Sequence, residues 1–248
     1  MKTPMEMIEE LNLAERRIIK VQTVIDFEKE PKIRLKALQI EEKLRDIFPQ
    51  PALVTPVSDD KAEEIPRVIF EGEERCVFSQ TRIDYVVKVQ EDKSREAQKV
   101  ISETEQKAIR IFDALHEETG RAITRIGIIA HFVFPLSHGK GSLSYLHRVF
   151  FKQDFTPANL TELDFHFAQQ SQDRYNINWF IRAVRVSVSD ELENDALLVL
   201  LDVNNYLEKN KKQITTYKET VIKELFDFMN DLTGKKLHPV VQNKFTLE

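Results

Sequence analysis

The sequence predicts an α+β protein in which mostly antiparallel sheets are covered by long amphipathic helices. Three observations lead to this prediction. Strand and helix patterns alternate along the chain. Residues 196–206 contain an uninterrupted aliphatic run, which is typical of a strand buried on both faces. Residues 177–188 and 196–206 form two long strand patterns joined by a short acidic turn, as expected for antiparallel neighbours.

The first half of the chain shows the element order of a ferredoxin-like unit. Apolar and polar residues alternate over residues 17–27, as in a half-exposed strand. Pro31 then opens a helix. The remaining elements are a hairpin with arms 67–71 and 76–90, a helix over 93–118 and a strand over 126–134. Strand, helix, strand, strand, helix, strand is the ferredoxin-like order.

The second half predicts a helix, three strands and a closing helix. The first helix covers residues 142–151, and the strands include 163–169. A shift of the apolar register predicts a β-bulge around Arg182 and Ala183. Thr216 and Glu219 form a capping box that begins the last helix. We treat residues 1–248 as one domain, with sub-halves 1–135 and 136–248 as the alternative division.

Composition narrows the class of protein. The 248 residues carry a net charge of −5, which disfavours a continuous nucleic-acid-binding surface. No apolar run reaches the roughly 18 residues of a membrane span, so no membrane partner is predicted. The N-terminus lacks an apolar signal region, and the single cysteine, Cys76, cannot form an internal disulfide. These features predict a cytoplasmic location.

One loop has the composition of an anion-binding site. Residues 137–142 hold two glycines and a lysine directly before a predicted helix, whose N-terminus offers unpaired amides and a partial positive charge. The Walker A pattern is absent. The alternative is a flexible turn in which Ser142 caps the helix. The candidate ligand-binding residues of the loop are His138, Gly139, Lys140, Gly141 and Ser142.

Three further residues are candidates for the same small phosphorylated ligand, namely Arg125, His131 and Arg182. The alternative for His131 is a core histidine satisfied by one hydrogen bond. No metal site and no cofactor are predicted, because the chain has no HExxH or CxxC motif, and Asp164 with His166 lacks a third ligand. Asp202 interrupts an aliphatic strand. It must therefore lie where the strand leaves the core, form a hydrogen bond or ion pair with a partner, or carry a raised pKa.

Several short segments resemble a sporadically distributed, uncharacterised prokaryotic protein family of α+β architecture. The segments are 80–85, 124–127, 200–203 and the last helix with Phe226. The resemblance covers most of the chain from about Pro66 onward. That family has no established activity to carry over, and its patchy occurrence implies an accessory role, such as defence.

The sequence therefore favours a non-enzymatic protein-interaction or regulatory module, one that self-associates or binds a protein partner through strand edges or helices. The first alternative is a phosphate or nucleotide-type ligand site, or an enzyme, that uses residues 137–142. Nucleic-acid binding is the second alternative.

Overall fold

A single antiparallel sheet of nine strands runs through the part of the chain that the structure describes. The structure is a computed structural model and describes residues 11–56, 65–136, 141–151, 160–171, 174–189, 192–205 and 219–244. The strands are β1 (Arg17–Phe27), β2 (Leu53–Val54), β3 (Val68–Phe70), β4 (Glu74–Phe78), β5 (Arg82–Lys88), β6 (Ile123–Pro135), β7 (Asp164–Ser171), β8 (Tyr175–Ser189) and β9 (Leu192–Asn205).

The strand order is β2-β3-β4-β5-β1-β6-β9-β8-β7. Every neighbouring pair is antiparallel. The middle strands β1 and β6 are long and β-branched, which suits a pleated surface packed on at least one face. The boundary between the alternative sub-halves falls after β6, and the sheet crosses it because β6 pairs with β9.

The predicted fold class is wrong. Instead of several sheets there is one, and the first half does not close into a ferredoxin-like unit. β4 lies between β3 and β5, β2 adds a further strand outside β3, and β6 continues into the strands of the second half. The prediction of long covering helices is wrong as well, because three of the five described α-helices have ten residues or fewer.

The helices lie on one face of the sheet. They are α1 (Ala37–Leu44), α2 (Ala97–Thr119), α3 (Ser142–Phe151), α4 (Glu219–Lys235) and α5 (Leu237–Val241). α2 packs against α1, α4 and β1, while α3 packs against β8 and β9. Tyr145 Oη of α3 donates a hydrogen bond of 3.1 Å to the Val241 carbonyl of α5, which joins these two helices. No described helix is long and apolar enough to cross a bilayer.

The core lies between this helix layer and the sheet. On α2 a stripe that includes Val100, Ile111 and Leu115 is buried at helical spacing. The helix ends at Gly120, which has a φ of 66°. Glycine adopts this angle without a steric penalty, and its N–H donates a hydrogen bond to the His116 carbonyl. On the sheet side, alternate strand residues such as Val21 and Ile25 are fully buried.

The opposite face of the sheet is covered by no described helix, and we call it the helix-free face. It carries the alternating residues Lys20, Gln22 and Asp26 on β1, which are only half-buried. Because strand side chains alternate between faces, the two faces differ in chemistry even though the same strands form both. Within the part of the chain that the structure describes, the helix-free face is therefore the less covered face of the sheet.

Individual elements follow the sequence unevenly. The predictions for β1 and α3 are confirmed residue for residue. The hairpin arm over 76–90 is wrong as one strand, because Ser79 and Thr81 take part in a turn between β4 and β5. The predicted bulge is also wrong, since the β8–β9 register is continuous at Arg182 and shifts between Ser187 and Ser189. Thr216 lies outside the described residues.

Candidate functional site

Three predicted ligand residues lie outside the loop. On the helix-free face His131 and Arg182 lie close together, and Arg125 lies apart from them. His131 and Arg125 both lie on β6, six residues apart, which corresponds to about 20 Å along a strand. Arg182 on β8 faces Leu198 of β9, and Leu198 faces Val133, two residues from His131. His131 and Arg182 therefore share one region, whereas Arg125 lies elsewhere and pairs with Asp26 at 3.8 Å.

A shallow cavity of about 170 Å³ lies between His131 and Arg182, and we call it the depression. Its floor is apolar, because β9 contributes two leucines and β8 a phenylalanine. Such a surface gains free energy when an apolar group displaces its water. On the helix-free face the depression is lined by His131, Asp164, Phe180, Arg182, Leu198 and Leu200.

The rim of the depression is held by two cross-strand contacts between β7 and β8. Arg182 donates two hydrogen bonds, of 2.8 and 2.6 Å, to the Asp164 carboxylate. His166 stacks on Phe180 with ring centroids 4.1 Å apart and planes 2° from parallel. Each ring thus has one face occupied by the other, and the Arg182 charge is already matched. This rim is preformed and nearly neutral.

Two ionisable groups on this face have shifted pKa values. Burial, with a smaller effect of Lys20, lowers the pKa of His131 to about 4, so its ring is uncharged at neutral pH. Burial raises the pKa of Asp202, an effect partly offset by hydrogen bonds from the side-chain amides of Asn204 and Asn178. The Asp202 carboxylate therefore has polar partners within the strand layer, since it accepts hydrogen bonds of 3.4 Å from Asn204 and 3.1 Å from Asn178.

The end of the predicted anion loop lies on the other side of the sheet. The backbone N–H groups of Gly141 and Ser142 donate to the same carboxylate oxygen of Asp195, at 2.7 and 3.2 Å. Asp195 shares its strand face with Leu197, which is buried on the helix-covered side. An internal carboxylate thus occupies the position expected for a phosphate. His138, Gly139 and Lys140 lie outside the described residues, so phosphate binding by the loop stays a prediction.

Other reactive side chains are buried and engaged in the core. Burial raises the pKa of the Cys76 thiol, which keeps it protonated. Burial and the neighbouring Glu74 carboxylate raise the pKa of Tyr85, whose hydroxyl donates to Glu74 at 2.5 Å. Within the described ranges no group of three His, Cys, Asp or Glu side chains is placed to hold a metal ion. Burial accounts for the shift of Cys76, and burial together with Glu74 accounts for that of Tyr85.

The outer edge of β7 is a candidate binding surface that sequence reasoning did not identify. β7 is the last strand in the order and pairs only with β8 among the described residues. Beside it, Phe150 of α3 stacks on Phe165 of β7 with ring centroids 4.3 Å apart, and the Phe151 ring is tilted against Phe165 with centroids 5.2 Å apart. We call these three residues the edge patch. Phe151 is 50% exposed, so the patch is incompletely covered.

A lysine pair is the second feature that sequence reasoning missed. Lys20 of β1 and Lys88 of β5 lie directly opposite each other, and Lys20 also faces His131 of β6. The two lysines are far apart in the sequence, so only the strand pairing shows that they are neighbours.

Comparison of the chain with protein-family models, with curated proteins and with solved structures finds no match.

Proposed function

We propose that the protein is a non-enzymatic protein-interaction module that self-associates by pairing the β7 edges of two copies. The observation that carries the proposal is the outer edge of β7, which pairs with no further strand among the described residues and lies beside the half-exposed Phe151. The accessory role implied by the family resemblance remains a prediction about the cellular setting of such a module.

The composition of β7 supports pairing. Edge strands that must remain single are usually short or carry lysine, proline or a bulge. β7 has eight residues, Asp-Phe-His-Phe-Ala-Gln-Gln-Ser, without lysine, arginine or proline. Its one carboxylate, Asp164, is matched by Arg182. Nothing in the strand itself opposes a second strand, and its outward N–H and C=O groups would gain partners.

Symmetry restricts how two such edges meet. A two-fold axis that makes the strands antiparallel stands perpendicular to the sheet, so the same face of both copies points the same way. Residues directly opposite each other must then share a face. Only Phe167 or Ala168 can lie on the axis near the middle of the strand. We favour Phe167, because its ring would pack against its copy on the helix-covered side.

Energetics explain why the edge patch is needed. A seven-residue antiparallel overlap permits about six to eight backbone hydrogen bonds, each contributing about 1 kcal/mol net. Association costs about 4 to 15 kcal/mol in lost freedom. The hydrogen bonds alone therefore leave little net free energy of association. Covering the exposed half of Phe151 adds about 1 kcal/mol in each copy. The net free energy of association is then at most about 6 kcal/mol, so we expect a dissociation constant of about 40 to 300 μM.

The state of the ionisable groups supports a binding role over a catalytic one. His131 is uncharged, Cys76 is a buried thiol and the Tyr85 hydroxyl is engaged by Glu74. A general acid, general base or nucleophile needs a pKa close to neutral and a position beside a cleft. None of these three groups meets both conditions.

Sedimentation velocity over about 1 to 300 μM tests the proposal, since this range brackets the expected constant. The wild-type chain should shift from monomer to dimer. Ala168→Lys should stay monomeric, because two lysines would then lie diagonally across the seam. Ala168 is exposed, so the substitution leaves the monomer intact.

Leu53→Lys is the matched control, because Leu53 is exposed on β2 at the opposite edge of the sheet. It should dimerise like the wild type. A wild-type chain that stays monomeric at the highest concentration, or an Ala168→Lys variant that dimerises equally well, would contradict the proposal.

A further inference from the structure

The lysine pair on the helix-free face lacks a counter-charge. Like charges directly opposite each other across a sheet are destabilising. Neither Lys20 nor Lys88 forms an ion pair with any residue that the structure describes. Their neighbours in register, Gln22, Val86 and His131, are not acidic. The pair is therefore an electrostatic cost to the folded chain unless an anion binds there.

The other cations that the structure describes on this face are all matched by carboxylates, including Arg75, which pairs with Glu71 at 3.4 Å. Arg17 pairs with Glu91 at 3.0 Å. Arg82 pairs with Asp84 at 3.0 Å. Arg125 and Arg182 are paired with Asp26 and Asp164 respectively. The lysine pair differs from these cations, so general surface charge does not explain it.

The pair lies at one end of a straight row that crosses five strands. Along this row Phe180 faces Leu200, Leu200 faces His131, and His131 faces Lys20. The first three residues line the depression, and the fourth begins the lysine pair. With about 4.8 Å between strands, the backbones of Leu200 and Lys20 are about 10 Å apart. The row thus changes from apolar to cationic over the length of a small molecule.

We propose that this row binds a small apolar carboxylate, with its apolar group in the depression and its carboxylate between the ammonium groups of Lys20 and Lys88. Asp164 of β7 lines the depression, but the proposed ligand contacts lie on β8, β9, β6, β1 and β5, so the site does not require pairing of the β7 edges.

The chemistry of the row favours this ligand over a nucleotide. A volume of about 170 Å³ suits a single aromatic ring with a short chain and is too small for a nucleoside diphosphate. The uncharged His131 ring lies between the two ends of the site and adds no charge there.

Calorimetric titration of the full chain with 4-phenylbutyrate at low salt tests the site. We expect saturable binding, and at least tenfold weaker binding of 4-phenylbutanol, which lacks the charge, and of acetate, which lacks the apolar group. Lys20→Gln and Lys88→Gln should each weaken phenylbutyrate at least fivefold. Each change removes a like-charge contact, so the folded chain should be no less stable and loss of binding cannot reflect unfolding.

Lys43→Gln is the matched control, since Lys43 lies on α1 and is paired with Glu117 and Glu118. It should bind phenylbutyrate like the wild type. Phe180→Ala should weaken phenylbutyrate but not acetate. Absence of saturable phenylbutyrate binding in the wild type would overturn the proposal. Equal affinity of the wild type, Lys20→Gln and Lys88→Gln would overturn it as well.

Discussion

The two outer edges of the sheet are built in opposite ways. β2 has only two residues, Leu53–Val54, and Pro51 and Pro56 lie close on either side. Proline has no N–H to offer a further strand, so pairing cannot extend along this edge. β7 has eight residues, no proline and a patch of phenylalanine beside it. In the proposed dimer the sheet would therefore end at β2 and continue through β7.

The largest effect is expected from reversing a charge across the proposed seam. Ala168→Lys and Ala168→Glu should each be monomeric, with association weakened at least a hundredfold. An equimolar mixture should form a heterodimer, because the lysine of one copy then lies diagonal to the glutamate of the other. Native mass spectrometry of the mixture checks this. If both variants dimerise separately, residue 168 is not at the interface.

The edge patch should have the next largest effect. Phe151→Asp places a charge where an apolar surface is to be covered, and we expect the dimer dissociation constant to rise about tenfold to a hundredfold. Leu38→Asp is the matched control, because Leu38 is 75% exposed on α1, a helix that packs against α2. Sedimentation equilibrium measures both. Equal weakening by the two variants would remove the patch from the interface.

The cap of α3 connects the patch to the rest of the fold. Asp195→Ala removes the acceptor for the Gly141 and Ser142 amides, and we expect the free energy of unfolding to fall by about 1 to 2 kcal/mol. Urea denaturation of the monomeric Ala168→Lys background measures this loss separately from dimerisation. Because α3 carries Phe151, dimer affinity should also fall modestly. An unchanged unfolding midpoint would show that the cap contributes little.

The smallest effect concerns pH and a residue remote from both edges. The folded pKa of His131 is lowered to about 4, below its usual 6.5, so protonation favours the unfolded chain. Its stabilising contribution is present above pH 6.5 and is lost as the pH falls toward 4. His131→Gln should flatten this part of the stability curve without changing dimer affinity at pH 7. Thermal unfolding at several pH values checks it, and an unaltered slope would contradict it.

Local patterns could be predicted from the sequence because short-range periodicity determines them. The bounds of β1 and α3 follow from alternation and helical spacing. The fold class could not be predicted in the same way, because the pattern of a strand does not reveal its neighbours. The β6–β9 pairing, which joins both halves into one sheet, connects residues about 70 positions apart.

The candidate sites show the same limit. His131 and Arg182 were selected individually, and the β6–β9–β8 pairing places them at one depression. The chosen loop was judged by its glycines and lysine, whereas the carboxylate that meets its amides, Asp195, lies more than 50 residues later. The lysine pair required the β1–β5 register. The alternation of apolar and polar residues in β7 does not reveal that this strand lies at an edge of the sheet.

Hydrogen exchange of the β7 amides tests the central claim most directly. The exchange of residues 164–171 should slow at least tenfold between dilute and concentrated wild-type protein, because the outward amides gain partners only in the dimer. Exchange in the same segment of Ala168→Lys should not depend on concentration, nor should that of β2 in either protein. β7 exchange that is independent of concentration in a wild-type dimer would show that the chain associates through another surface.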